Sequence, residues 1–265
     1  MGSETKPLTT MDQTNYVSDW EFYFGNVNNM LGSIAVDLGL AKIAPVAEQP
    51  HVVWVSINML DPRPDGLSSM QETVVLQQIE DDLEAALEEK HKAIYVGRST
   101  SNGHRKVYFY LADTTAYEET IASVMQEYAG YTYDFGTKED RGWNGYFTFL
   151  FPEPEQYQSI RNRKVVDSLE EHGDDLTKAR DIHHWVFFKT AESREAYAAS
   201  IEKEGFTVVA RDYDKALGSY PYRLHIKHTD KVDWTSIDKT VLHLWRLAQK
   251  HNGDYDGWET AAKTN

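Results

Sequence analysis

Gly253-Asp254-Tyr255-Asp256-Gly257-Trp258-Glu259, near the C-terminus, sets two aspartates, two glycines and two large aromatics within seven residues. Such a run predicts a short edge strand entering a turn, with its rings pressed inward and its carboxylates left at the rim. Tyr131-Thr132-Tyr133-Asp134-Phe135-Gly136 has a similar composition and also follows a helical pattern, one that ends at Gly130. The echo predicts a duplicated architecture.

Working outward from these two runs, residues 51–136 read as β-α-β-β-α-β. His51 to Ile57 is rich in β-branched residues and ends at the breaker cluster Asp61-Pro62-Arg63-Pro64-Asp65-Gly66. Ser69 with Glu72 forms a capping box, and Leu76, Ile79, Leu83 and Leu87 then recur at helical spacing to about Lys90. Two strand-like runs, 93–100 and 106–112, flank the hairpin signal Asn102-Gly103. Thr115 with Glu118 reads as a second capping box, opening a helix that carries Tyr117, Ile121, Val124, Met125 and Tyr128. That order is the ferredoxin-like one. Upstream, the alternation from Asp19 to Leu40, broken at Asn28-Asn29 and Gly32, predicts an added hairpin.

Downstream, Gly142 to Leu150 reads as one more strand, and Pro152 and Pro154 open a charged connecting helix holding Tyr157, Ile160, Val165 and Leu169. The order then repeats: a strand at 185–188, a helix from Ser193 to Glu204 with Gly205 at its end, and a strand at 206–210. Tyr222 to His228 alternates cleanly, Asp233 to Gln249 keeps Ile237, Val241, Leu244 and Ala248 in register, and the opening run closes the set.

The composition is that of a globular chain: 265 residues, 41% hydrophobic and 26% charged, with sixteen Tyr, ten Phe and seven Trp to fill two cores. A formal charge of −15 disfavours direct binding to nucleic acid or to anionic membrane and favours a basic or mixed protein partner. The absence of cysteine excludes disulfides, thiolate nucleophiles and Cys-ligated zinc. No apolar run reaches the ~18 residues that a membrane-spanning helix needs. The polar N-terminal run lacks a signal-peptide core, so cytoplasm is the expected compartment.

Several constellations admit both a chemical and a plainer reading. Asn252-x-Asp254-x-Asp256-Gly257 fits the first half of a calcium loop, but Lys263 stands where the closing glutamate belongs, which leaves strand-turn chemistry. His183-His184 and His225 with His228 lack metal-site spacing, and adjacent histidines on a strand point to opposite faces. Gly97 to Gly103 leads into a strand and not a helix, so it is a hairpin turn and not a phosphate cradle. Arg105 to Tyr110 is similar to the base-stacking strand of RNA-recognition modules, yet the glycine-aromatic spacing is missing and the charge is adverse. No catalytic signature is present, and no cofactor or metal is expected.

Arg161 and Arg163, Leu169-Glu170-Glu171-His172-Gly173-Asp174, His183-His184, Gly205-Phe206-Thr207-Val208 and Tyr255-Asp256-Gly257-Trp258 together resemble RraB, the B-type regulator of ribonuclease E activity, over residues 161–260. Gly66-Leu67, the Glu80 helix and Val96-Gly97-Arg98 resemble a domain of unknown function found fused ahead of RraB-like domains. The resemblance implies a ferredoxin-like fold and a non-catalytic regulator that docks on a ribonuclease or its scaffold.

The expectation is therefore an α+β protein of two tandem ferredoxin-like (βαββαβ) domains, the first with an added N-terminal β-hairpin. A leader spans 1–12, an N-terminal α+β domain 13–152 and an RraB-like domain 153–265. Candidate partner-binding residues are Asp254, Tyr255, Asp256, Gly257 and Trp258, with Tyr133 and Asp134 on the matching rim. A purely structural role for Tyr255, Asp256 and Trp258 stays open, as does a small-ligand binder or enzyme using a cleft between the domains.

Overall fold

The computed structural model describes residues 16–264, so the leader expected over 1–12 lies outside the described residues. The chain divides into two units, Met1–Pro152 and Glu153–Asn265.

In the first unit the strands are β1 (Trp20–Val27), β2 (Met30–Asp37), β3 (His51–Asn58), β4 (Ile94–Ser101), β5 (His104–Leu111) and β6 (Tyr133–Glu139); the helices are α1 (Met70–His91) and α2 (Tyr117–Met125). The sheet order is β1-β2-β4-β5-β3-β6, with every neighbouring pair antiparallel. Without the β1–β2 hairpin this is the ferredoxin-like arrangement. Asn28-Asn29 and Asn102-Gly103 turn the two tight hairpins with both residues at positive φ, between 51° and 79°. Val53, Val55, Ile57, Val107 and Phe109 meet Leu76, Ile79, Leu83 and Leu87 of α1 and Ile121 and Met125 of α2 in one core. At about 1.5–3 kcal/mol per buried side chain, this cluster fixes which face of each strand turns to the helices.

Three local expectations are corrected. Ser69 does cap α1, accepting from the Glu72 amide at 3.2 Å, but the Glu72 carboxylate turns away and accepts from the Leu60 and Asp61 amides. It ties the exit of β3 to the start of the helix. Thr115 does not cap α2: the cap position is Ala116 at φ 60°, and Thr115 bonds Asp113 at 3.0 Å because an aspartate two residues earlier competes for it. Gly145–Leu150 is a π turn and not a strand. Trp143, Tyr146 and Leu150 are fully buried at helical spacing, a pattern hidden in sequence by Phe147, Phe149 and Phe151 between and after them.

That π turn lies on the sheet face opposite the helices. Trp143 stacks on Tyr110 of β5 (ring centroids 4.0 Å apart, 12° between planes), the Tyr146 hydroxyl donates to the Asp37 carbonyl at 2.7 Å, and Tyr23 of β1 donates to the Leu150 carbonyl at 3.0 Å. On the helix side, Glu80 is buried between Arg98 and Arg105, at 2.9 and 3.6 Å, and also accepts from the Tyr95 hydroxyl.

In the second unit α3 (Pro154–Glu171) precedes β7 (Arg180–Phe188), α4 (Ala191–Glu202), β8 (Thr207–Tyr213), β9 (Tyr222–Asp230), α5 (Trp234–Lys250) and β10 (Gly253–Thr260). The antiparallel order β10-β7-β9-β8 is again ferredoxin-like, so β6 and β10, which carry the two echoing sequences, are the same edge strand of the same fold. Ile182, Val186 and Phe188 of β7 pack with Leu224 and Ile226 of β9, Tyr197 and Ile201 of α4, Val241 and Leu244 of α5, and Val166 of α3. Residues 181, 183, 185 and 187 therefore point to the other face. Both units are α+β sandwiches.

Candidate functional site

β10 is built around a bulge. Its register against β7 runs Gly253 with Phe188, Asp254 with Phe187 and Tyr255 with Val186, then skips Asp256 and resumes with Gly257 opposite Trp185 and Trp258 opposite His184. The extra residue brings Tyr255 and Trp258 onto the helix face together. Tyr255 is buried in the core, whereas the Trp258 indole donates to Asn162 Oδ1 at 3.3 Å. Asn162 is fully buried and in turn donates to Asp238 of α5 at 2.8 Å, so a polar seam between α3 and α5 holds the ring. Arg161 donates to the Asp256 carbonyl at 2.9 Å and fixes the bulge from the same helix.

Beneath Tyr255 lies a neutral polar chain. Its hydroxyl is 2.8 Å from His184 Nδ1, and His184 Nε2 is 3.1 Å from His228 Nδ1. Either direction of donation along this chain leaves His228 Nε2, itself buried, without a partner. Burial, with the neighbouring His228 second, pushes the His184 pKa well below 6.5, and burial likewise raises the Tyr255 hydroxyl well above 10. Neither group offers a proton or a nucleophile to solvent near neutral pH. They brace the sheet from inside.

The opposite face carries a different cluster. Trp185 stacks on His225 (4.7 Å, 14°), and His225 Nε2 is 2.8 Å from His183 Nδ1. None of the three belongs to the core cluster. Desolvation, then the nearby His183, lowers the His225 pKa from its ordinary value of 6.5, which keeps the ring neutral near pH 7. Around this platform the cations are matched, Lys227 with Asp181 at 2.7 Å and Arg223 with Asp212 at 2.8 Å. Asp254, Asp256 and Glu259 on β10 are exposed and form no ion pair with any described Lys or Arg. The face is thus an aromatic centre with a surplus of carboxylates along one edge. Among the described residues no group of three or more His, Asp or Glu is placed to hold a metal.

Of the residues singled out in sequence, Asp254 to Trp258 share one strand, with the rings inward and the carboxylates out. Tyr133 and Asp134 occupy the equivalent β6 of the other unit. Tyr133 packs on that unit's core and stacks on Phe135 (6.2 Å), while Asp134 is exposed and its carboxylate accepts from the Phe135 amide at 2.9 Å. No histidine chain lies beneath them in the core cluster. The Trp185–His225 stack was missed in sequence, although the outward parity of 183, 185 and 187 along β7 was there to be read. What could not be read was the register that pairs Trp185 of β7 with His225 of β9. Asp174, part of the RraB-like stretch, is structural: its carboxylate clamps Arg180 through two bonds of 2.7 Å and accepts from the Lys263 amide at 2.7 Å. Arg180 holds the Asp174 carboxyl below its ordinary range.

No curated protein matches the sequence. Among solved structures, the chain is similar to an unknown protein from Galdieria sulphuraria, at 15% identity and TM-score 0.23 over 81% of this chain and 99% of that one. It is also similar to a protein assigned as a glycine cleavage system transcriptional repressor, at 8% identity and TM-score 0.23 over 80% and 98%. Likeness at that level says nothing of function. Residues 159–260, which hold the β10 bulge, the histidine chain and the Trp185 platform, match the family described as Regulator of ribonuclease activity B. Through residues 18–151 the chain belongs to DUF695, a family of unknown function.

Proposed function

We propose that the second unit is a non-catalytic docking module that regulates a ribonuclease of the E type by binding it or its scaffold. The observation that carries this reading is the position of the Trp185–His225 platform, inside the regulator-like region and beside the unpaired carboxylates of β10. A large ring at the centre of a patch supplies affinity, and a rim of one charge selects a partner of the other. Asp254 and Glu259 flank the platform directly; Tyr255 and Trp258 act through the shape of the strand. Both edge strands of this sheet, β8 and β10, carry bulges, which work against adding a strand from a partner. Docking on the face, against a basic surface, fits this geometry better.

The test is RNA cleavage by a purified ribonuclease E-type enzyme titrated with this protein. Inhibition that saturates near one equivalent, and that Trp185→Ala abolishes without shifting the thermal melt, is the expected result. Unchanged cleavage at saturating protein, with no complex in sedimentation, would sink the ribonuclease as the target.

A further inference from the structure

The outer face of the first unit's sheet is a trough, not a plane. The tip of the β1–β2 hairpin walls one side and the π turn the other, enclosing about 620 Å³. That volume is in the range of small-molecule sites. Its floor is aromatic: Trp54 of β3 lies across Gly136 of β6, where an added Cβ would stand 2.5 Å from the indole, and Tyr108 of β5 packs on Phe149 of the π turn at 5.6 Å. A side chain at 136 would lift the indole into the trough.

The charge of this trough runs against that of the chain. Lys106 and Lys138 line it and form no ion pair with any described carboxylate, in a protein with 42 acidic residues against 27 basic ones. Lys106 sits 5.7 Å from the Trp54 ring. Among the described residues the one acid in the lining is Asp140, and its carboxylate is already engaged. It accepts from the Tyr110 hydroxyl at 2.7 Å, from the Asn144 amide and side chain at 2.9 and 2.8 Å, and from the Gly145 amide at 2.8 Å. Two uncompensated ammonium groups beside aromatic rings in a concave site call for a counter-charge carried on a flat apolar body.

We infer that the first unit binds a small planar anion, a ring bearing a phosphate or a carboxylate, in the trough between the hairpin tip and the π turn. The ring lies on Trp54 and Tyr108, and the anionic group reaches Lys106 and Lys138. This site is in the other unit and does not rest on the regulator reading.

Isothermal titration with adenosine monophosphate and with indole-3-acetate tests it, each probe set against its uncharged counterpart, adenosine or indole. The expected result is a dissociation constant below about 1 mM for at least one anion, with its counterpart about tenfold weaker or more. The arm that binds tells phosphate from carboxylate. Lys106→Gln with Lys138→Gln should weaken that anion about tenfold while leaving the thermal melt unchanged, both side chains being at the surface of the trough. Trp54→Leu should weaken it and remove any ligand-induced change in tryptophan emission. Failure of both anions to bind by about 1 mM overturns the proposal. So does equal binding of the neutral counterpart, or wild-type affinity in the double lysine variant.

Discussion

The two sheets have the same strand order and treat their outer faces in opposite ways. The first covers one end of that face with the hairpin and the π turn, so that Ile34, Val36, Trp143, Tyr146 and Leu150 form a second buried layer and a walled trough remains beside it. The second leaves Trp185 and His225 stacked on a face that none of its own helices packs against. Both units bury an ion cluster, Glu80 between two arginines in the first and Asp174 with Arg180 in the second; beneath its last strand the second adds a neutral chain, Tyr255–His184–His228. An extra layer makes a ligand-sized concavity, and its absence leaves an open face.

The largest expected effect comes from removing the extra layer. Trp143→Ala should cost the first unit about 3–5 kcal/mol in denaturant unfolding, because a fully buried ring stacked on Tyr110 leaves a cavity. A loss under about 1 kcal/mol would mean that the π turn is dispensable to the sheet. Next, Glu80→Gln should destabilise the same unit by about 3 kcal/mol, since Arg98 and Arg105 would face each other without a counter-charge. Glu80→Asp, read in the same assay, should recover part of that. In the second unit, Tyr255→Phe should cost about 1–3 kcal/mol by leaving His184 Nδ1 without its partner, a smaller figure because no charge is stranded.

Acidity should separate the units by sign. His184 is held neutral in the fold and titrates near 6.5 once unfolded. The second unit therefore keeps this stability above that value and loses it as pH falls below, with a slope approaching about 1.4 kcal/mol per pH unit. In the first unit Glu84 is raised to about 7 by burial, then by Glu88, Asp81 and Glu80. Its folded form holds the proton longer than the unfolded chain, so stability is lost as pH rises from 4.5 to about 7, more gently because the group is only half-buried and solvent screens it. Denaturant midpoints of the two separate transitions across pH 5–8 should diverge, and His184→Phe and Glu84→Gln should each flatten one of them. Parallel trends would remove the contrast. The smallest effect on stability should be that of Trp185→Ala, below about 1 kcal/mol by thermal melt.

Much of this was written in the chain at the level of elements. Periodicities of two and three to four, with Asn-Gly and capping residues as punctuation, gave the βαββαβ order twice. The π turn was not legible, because five aromatics among residues 143–151 satisfy a strand pattern as readily as a helical one. The histidines illustrate the other limit. In sequence they group as His183-His184 and as His225 with His228; in the sheet they regroup across β7 and β9 as His183 with His225 and His184 with His228. Parity along one strand is local information, whereas partnership between strands is set by register, which no single segment carries. The trough needed three segments at once, the hairpin tip, β3 with β5, and the π turn.

The bulge at Asp256 gives the last strand a memory of odd and even. Tyr255 and Trp258 are three residues apart and would face opposite ways on a regular strand; one surplus residue makes them neighbours. Loss of that single codon would leave Tyr255 and Trp258 two positions apart on a regular strand, both still inward and opposite Val186 and the fully buried His184. Loss of the Gly257 codon as well would turn Trp258 out and Glu259 in, exchanging a ring for a carboxylate against His184. For this edge of the molecule, then, the surplus residue is the one the gene can lose without changing which way the rings face.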